Sequence, residues 1–260
     1  MRLGWCRPLE DAPLLERLGY DFIEVALAPL GLEDKGTFAA AKRTVLASPL
    51  PTSAFNTFFP KDIRVVGPDV DPPRVKNYLA RVAEILGEAK AEVVVLGSGW
   101  ARNVPGGWER ARAEEQLLLS LSWCADALEG TGCTLVIEPL NRKESNIVNS
   151  VAEGVGFAER VNRPEIRVLA DFYHMDEEGE PLETLRTHCE WLAHVHVADT
   201  GRRNPGTGSY DYDGFFGHLR AIGYAGMISA ECEVQEPEAD MRHSLGFMRR
   251  RWAAAAGRRP

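Results

Sequence analysis

The amino-acid sequence predicts an α/β fold, a single (β/α)₈ TIM barrel that spans residues 1–260. The length of 260 residues suits one large α/β barrel, and short apolar segments alternate with helix-length segments along the chain. A doubly wound open sheet, the alternative, usually carries a glycine-rich phosphate turn after its first strand. Here the first strand ends in Trp-Cys-Arg-Pro, so the closed barrel is favoured.

The individual elements follow from the spacing of apolar residues. Apolar residues three and four positions apart predict helices over 75–86 and 111–128, and Asp71 before two prolines and Ser150 are typical helix starts. The tail, 249–260, is expected to be a helix end that frays from about residue 250. Eight short apolar runs predict the strands: 3–6, 22–26, 52–59, 92–96, 134–137, 167–170, 193–197 and 227–230.

Composition narrows the class of protein. The formal net charge of −8 disfavours nucleic-acid binding, which usually needs a basic surface. The apolar runs are too short to cross a membrane, and the first residues do not resemble a signal peptide. We therefore expect a cytoplasmic protein without a membrane partner. Five widely spaced cysteines without a CxxC pair predict free thiols: Cys6, Cys124, Cys133, Cys189 and Cys232.

Polar residues stand at the carboxyl ends of four consecutive predicted strands. They are Glu138, Asp171, His196 and Glu231, each about one strand–helix repeat after the previous one. Because the active site of a barrel lies at the carboxyl ends of its strands, we expect these side chains to converge. Three carboxylates and one imidazole suit a single divalent cation, with Mn²⁺ or Co²⁺ favoured and Mg²⁺ compatible. Each residue alone could instead cap a helix or form an ion pair.

Residues close to two of these four are alternative candidates for the same ligand positions. His194 lies two residues before His196 and shares its strand face, so we interpret it as a hydrogen-bonded core residue. Glu233 competes with Glu231 but is farther from the apolar strand. Cys232 alternates to the other face and is interpreted as a packed thiol. The glycine-containing segment 97–107 lacks the lysine of a P-loop and is predicted to be a mobile loop over the pocket.

At these residues the chain resembles the xylose isomerase-like barrel superfamily of sugar isomerases and epimerases, and within it the ketose 3-epimerase branch. The resemblance covers about residues 90–235. It rests on four segments: IEPLNRKESNIVNSVAEG (137–154), DFYHM (171–175), HVHVADTGRRNPGTG (194–208) and ISAECE (228–233). The first half of the chain departs from the epimerases, and their sugar-contacting residues lie there.

The resemblance implies a role for each matching residue. Glu138, Asp171, His196 and Glu231 would hold the metal, and Glu138 and Glu231 would also act as the acid and base on opposite faces of the substrate carbon. The substrate side of the site would be formed by His174, Arg202 and Glu144, with the adjacent Arg203 as an alternative to Arg202. The implied activity is proton transfer next to the carbonyl of a small sugar or polyol through an enediolate, foremost ketose 3-epimerisation.

Several other activities are compatible with the sequence or must be weighed against it. An inosose dehydratase-type lyase or a hydroxypyruvate isomerase-type enzyme would use the same proton abstraction. An abasic-site endonuclease of the same superfamily is disfavoured, because its zinc ions need histidines from early strands and all six histidines lie in the second half of the chain. A non-catalytic sugar-binding barrel would have no evident reason to retain two opposed glutamates. A homo-oligomer is compatible with the sequence.

Overall fold

Eight parallel strands close into a barrel, and each pairs with its neighbours in chain order. The computed structural model of the protein describes residues 1–255. The strands are β1 (Arg2–Cys6), β2 (Phe22–Ala26), β3 (Ala54–Asn56), β4 (Val93–Leu96), β5 (Thr134–Ile137), β6 (Ile166–Asp171), β7 (Leu192–Val197) and β8 (Met227–Ala230). The predicted fold is confirmed.

Helices surround the barrel. Within residues 1–255 the α-helices are α1 (Ala12–Leu18), α2 (Lys35–Leu46), α3 (Pro72–Ala89), α4 (Gly99–Arg102), α5 (Arg110–Leu128), α6 (Val151–Val161), α7 (Phe172–Glu177), α8 (Thr184–Thr187), α9 (Tyr212–Ala221) and α10 (Pro237–Ala255). The two predicted starts are confirmed, since Asp71 accepts the Arg74 N–H and Ser150 accepts the Glu153 N–H.

Two apolar layers follow from the alternation of side chains along each strand. Val93 and Val95 of β4 belong to a small cluster that fills the barrel interior, together with Phe22 of β2 and Leu169 of β6. The intervening residues, such as Val94, join the larger cluster packed between the strands and the helices. The interior cluster stops below the carboxyl ends of the strands, where polar side chains replace it.

Three local features differ from, or extend, what the sequence predicts. The predicted strand at 52–59 shortens to Ala54–Asn56, because Thr57 adopts a positive φ of 48° that ends the extended run. Segment 97–107 is not a mobile loop throughout: it contains α4, and Arg102 within it is fully buried. The last helix continues to Ala255, and the rest of the predicted fraying tail, 256–260, lies outside the described residues.

The helices and the cysteines bear on two further predictions, the absence of a membrane span and the presence of free thiols. Among the helices described, none is both long and apolar enough to span a bilayer. All five cysteines are free, and Cys232 is partly buried against the core, as predicted for a packed thiol.

Candidate active site

Four side chains from consecutive strands meet at the carboxyl end of the barrel. Asp171 is the last residue of β6, His196 lies in β7, and Glu138 and Glu231 directly follow β5 and β8. One ligand atom of each lies within 4.8 Å of the others. The structure thus brings together the four residues that the sequence singles out, and Glu233 is instead exposed at the surface.

The distances within this carboxylate–histidine cluster are short. The Nδ1 atom of His196 lies 3.4 Å from Glu138 Oε1, 3.8 Å from Glu231 Oε2 and 3.9 Å from Asp171 Oδ2. The other Asp171 oxygen, Oδ1, accepts the backbone N–H groups of Tyr173 and His174 at the start of α7. This helix cap holds the carboxylate so that Oδ2 faces the cluster.

Burial and mutual repulsion shape the charges of the cluster. Burial raises the pKa of Glu231, and the nearby Glu138 carboxylate raises it further. Burial also disfavours the charged form of Asp171, but the electrostatic influence of the neighbouring His174, His196 and Arg202 side chains outweighs burial and lowers the pKa of Asp171. The two carboxylates therefore differ in proton affinity although they share one site.

The residues present fit a divalent cation. Three carboxylates around one imidazole are a donor set of oxygens and nitrogen that suits a hard or borderline metal ion. Glu138 Oε1 and His196 Nδ1 are buried and have no hydrogen-bond partner among residues 1–255. Buried polar atoms are normally partnered, so these two orphaned acceptor positions are what a bound cation would satisfy.

His174 presents an unpartnered nitrogen toward the same site. Its Nδ1 atom accepts the backbone N–H of Asn141 at 3.1 Å, and the Asn141 side-chain amide lies 2.9 Å away. In the neutral ring the proton therefore sits on Nε2. That nitrogen is buried, 4.0 Å from Asp171 Oδ2, and has no hydrogen-bond partner within the described chain. His174 is thus preset as a donor toward an occupant of the site.

Arg202, and not Arg203, points into the site. Its guanidinium donates to Glu231 Oε2 at 2.7 Å and to Glu144 Oε1 at 3.0 Å, and it lies over the Tyr173 ring at 5.0 Å. Burial lowers the pKa of Arg202, but the carboxylates of Glu231 and Asp171 more than compensate and raise it. The neighbouring Arg203 donates to the Thr200 carbonyl instead. Arg202 places a permanent positive charge beside the cluster.

A cavity of about 610 Å³ opens beside Glu231. This volume falls within the usual range for a small-molecule site. Asn56 at the end of β3 reaches Glu231 Oε1 at 3.4 Å and links the cavity to the cluster. The walls of the cavity come from the ends of β1 and β2 and from α2. They include Cys6, Arg7, Leu9, Leu30, Ala41 and Asn56.

Two residues of the cluster's surroundings are missed by sequence reasoning. Glu24 of β2 is fully buried and contacts His194 and His196. A charged residue inside an otherwise apolar strand (FIEVA) is the signal that could have revealed it. Gly97, after β4, leaves room for Glu138, because a Cβ atom there would lie 1.9 Å from Glu138 Oε2. Its sequence context, a glycine-containing loop, carries no comparable signal.

Comparison with known proteins identifies the family. The family model described as xylose isomerase-like TIM barrel matches residues 13–251. The chain is 25% identical over 252 residues to 3-dehydro-D-guloside 4-epimerase of Escherichia coli (strain K12), with 93% of this chain and 94% of the relative covered. It is 34% identical over 131 residues to a ketose 3-epimerase of Arthrobacter globiformis, which covers 50% of this chain and 45% of that one.

A solved structure agrees at the level of the fold. D-psicose 3-epimerase from Clostridium cellulolyticum H10, determined with D-tagatose, superposes with a TM-score of 0.84 at 20% identity and covers 97% of this chain and 99% of that one. The chain belongs to the xylose isomerase-like TIM barrel family. Its relatives are named epimerases and isomerases, so the predicted enzyme class is confirmed at that level.

Proposed function

We propose that this protein is a divalent-metal-dependent sugar epimerase that moves a proton on the carbon next to a carbonyl, foremost a ketose 3-epimerase. The observation that carries the proposal is the pairing of Glu138 and Glu231 across one cluster, each on the rim of the barrel and each close to His196 Nδ1. Two carboxylates on opposite sides of one carbon can remove a proton from one face and return a proton to the other. That exchange inverts the configuration.

The metal ligands in this proposal are Glu138, Asp171, His196 and Glu231. A divalent cation held there, Mn²⁺ or Co²⁺ foremost, would supply Lewis-acid stabilisation of the negative charge that develops on the carbonyl oxygen. The acid–base work falls to Glu138 and Glu231.

The surrounding residues would bind and orient the substrate. The Nε2–H of His174 is a buried donor without a partner in the part of the chain described, and it would donate to a substrate oxygen beside the reacting carbon. Arg202 would stabilise developing negative charge through its guanidinium. Glu144 accepts from both Arg202 and the Asn141 side chain, so it holds the arginine and the loop after β5 in place.

A second candidate is epimerisation at C4 of a keto-glycoside. The favouring observation is that the E. coli relative, a 3-dehydro-D-guloside 4-epimerase, matches over 93% of this chain and 94% of its own length. Both candidates require the same chemistry, since the inverted carbon lies next to a carbonyl in each. They differ in the substrate that fills the cavity beside Glu231.

Proton exchange with solvent separates the candidates. The Mn²⁺-loaded enzyme is incubated in D₂O with free ketoses and, separately, with 3-keto-glycosides, and the products are followed by NMR. Ketose 3-epimerisation places deuterium at C3 with inverted configuration, and 4-epimerisation of a keto-glycoside places it at C4. The Glu231→Gln variant serves as the matched control and should show no label above background.

Other outcomes would overturn the proposal. A shift of the carbonyl to C1 would indicate an aldose–ketose isomerase, and loss of a hydroxyl would indicate a lyase of the dehydratase type. Cleavage of abasic DNA without exchange into any sugar would contradict proton transfer altogether. Equal activity before and after removal of divalent metal would contradict the role of the four ligands.

A further inference from the structure

Glu24 is a fully buried carboxylate inside the barrel, one layer above the apolar interior cluster. It lies in β2, two residues after Phe22, and so shares the interior face with that ring. An isolated charge in such a place is strongly disfavoured unless donors surround it. Three hydrogen-bond donors surround Glu24. They are His194 and His196 of β7 and Ser229 of β8.

The contacts of Glu24 occupy both carboxylate oxygens. Oε1 lies 2.8 Å from His196 Nε2, and Oε2 lies 2.8 Å from His194 Nε2 and 2.5 Å from Ser229 Oγ. Cys6, Glu24 and His196 also form a compact group of potential metal ligands. Because each Glu24 oxygen already accepts a proton-bearing group, this carboxylate is a hydrogen-bond acceptor and not a ligand.

The consequence for His196 concerns which ring nitrogen carries the proton. An ionised carboxylate can accept but cannot donate, so His196 must place its proton on Nε2 to bond with Glu24. The lone pair of Nδ1 then faces Glu138, Asp171 and Glu231, where a cation would lie. Ligand histidines are commonly held in this way through their second nitrogen.

We propose that Glu24 is a positioning residue that fixes the ring orientation and the Nε2–H tautomer of His196, and so prepares Nδ1 to bind a divalent cation. This inference rests on the metal site proposed above. Glu24 does not touch the cation or the substrate in this scheme. It acts through His196, and through the same carboxylate it also anchors His194, the core histidine of β7.

The first test is cation affinity in the Glu24→Gln variant, measured by calorimetry with Mn²⁺ and by the absorption spectrum of bound Co²⁺. A glutamine amide retains the shape but offers one oxygen in place of two, so one histidine loses its acceptor. Affinity should fall about 10- to 100-fold, the usual cost of losing a partner of a metal ligand. Glu24→Asp keeps the charge and should recover part of the loss.

The matched control is Glu92→Gln. Glu92 precedes β4 and pairs with Arg2 at the opposite, amino-terminal end of the barrel. It should bind Mn²⁺ as the wild type does. Equal Mn²⁺ affinity in folded Glu24→Gln and wild-type protein would overturn the proposal, as would an equal loss in Glu92→Gln.

The second test needs no variant and keeps the proposal testable if Glu24→Gln does not fold. Nitrogen-15 NMR of the wild-type histidines reports which ring nitrogen of His196 is protonated. We expect Nε2 to be protonated with and without Mn²⁺, and Nδ1 to be unprotonated with it. An unprotonated Nε2 would overturn the role of Glu24. Absence of Mn²⁺ binding by the wild type would instead overturn the metal site, and the cation-free spectrum would still decide the Glu24–His196 bond.

Discussion

Replacement of the buried Arg102 by lysine should destabilise the barrel by a measurable amount. Arg102 is fully buried in α4, and its guanidinium donates to the Leu96 carbonyl at 3.0 Å and the Glu138 carbonyl at 2.5 Å. These carbonyls lie at the ends of β4 and β5. Burial lowers the pKa of Arg102 to about 10, which leaves the side chain cationic at neutral pH.

The magnitude follows from the number of bonds lost. Lysine keeps the charge, but its donors lie on a single nitrogen and cannot reproduce the two-nitrogen fork that spans both carbonyls. The variant therefore loses about one hydrogen bond to a charged group, worth about 1.5–3 kcal/mol of unfolding free energy. With an unfolding entropy of roughly 2.1 cal/mol/K per residue, this corresponds to a decrease in Tm of about 3–5 °C for a chain of this length.

Calorimetry and urea denaturation of Arg102→Lys measure the effect. The control is Arg242→Lys on α10, whose partner Glu238 is also exposed, because exposed ion pairs are worth roughly 0–1 kcal/mol. If Arg102→Lys is as stable as the wild type, the fork to the two carbonyls does not stabilise the fold. If both variants lose the same amount, burial of Arg102 is irrelevant to the loss.

The other predictions concern the proposed site. Glu138→Gln and Glu231→Gln should each retain the circular dichroism spectrum of the wild type but lose at least about 10²–10⁴-fold in kcat, the contribution of acid–base catalysis. Arg202→Ala should reduce kcat and raise KM, whereas Arg203→Ala should be near wild type; the reverse order would refute the assignment of Arg202 to the site. Gly97→Ala should fold yet lose metal affinity and turnover, because the added Cβ would displace the Glu138 carboxylate, and an unchanged Kd would contradict this. Mn²⁺ at 100 times its Kd should raise the unfolding free energy by about 2.7 kcal/mol, seen as a Tm increase that a chelator reverses.

The sequence predicts a large part of the proposed site because the relevant information is local to each strand. Glu138, Asp171, His196 and Glu231 each stand at the end of an apolar run, and the ends of parallel strands lie on one rim of a closed barrel. Strand order therefore predicts that the four residues share a rim, and the structure brings one ligand atom of each within 4.8 Å of the others. Strand boundaries without such a polar residue are predicted less well. The predicted strand at 52–59 is eight residues long, whereas β3 contains three residues.

The family resemblance assigns Arg202 to the substrate site and leaves the adjacent Arg203 as an alternative. The conformation of the turn after β7 determines which of the two side chains enters the site. Arg202 adopts a positive φ of 59°, and its guanidinium points toward Glu144 and Glu231. Backbone conformation in such a turn depends on the contacts of the whole loop, so the residues alone did not exclude Arg203.

The barrel, the family resemblance and the four residues of the cluster could be predicted from the amino-acid sequence, because strand periodicity and the polar residues at strand ends are features of consecutive residues. The tertiary structure was needed to show that Glu24 in β2 contacts His194 and His196 in β7, which are 170 and 172 positions away in the sequence. It also revealed that Arg102, in a segment that looked like an open loop, is buried against two strand ends. The first contact forms across the closed interior of the barrel and the second between α4 and the neighbouring strand ends. The spacing of residues along the sequence predicts neither contact.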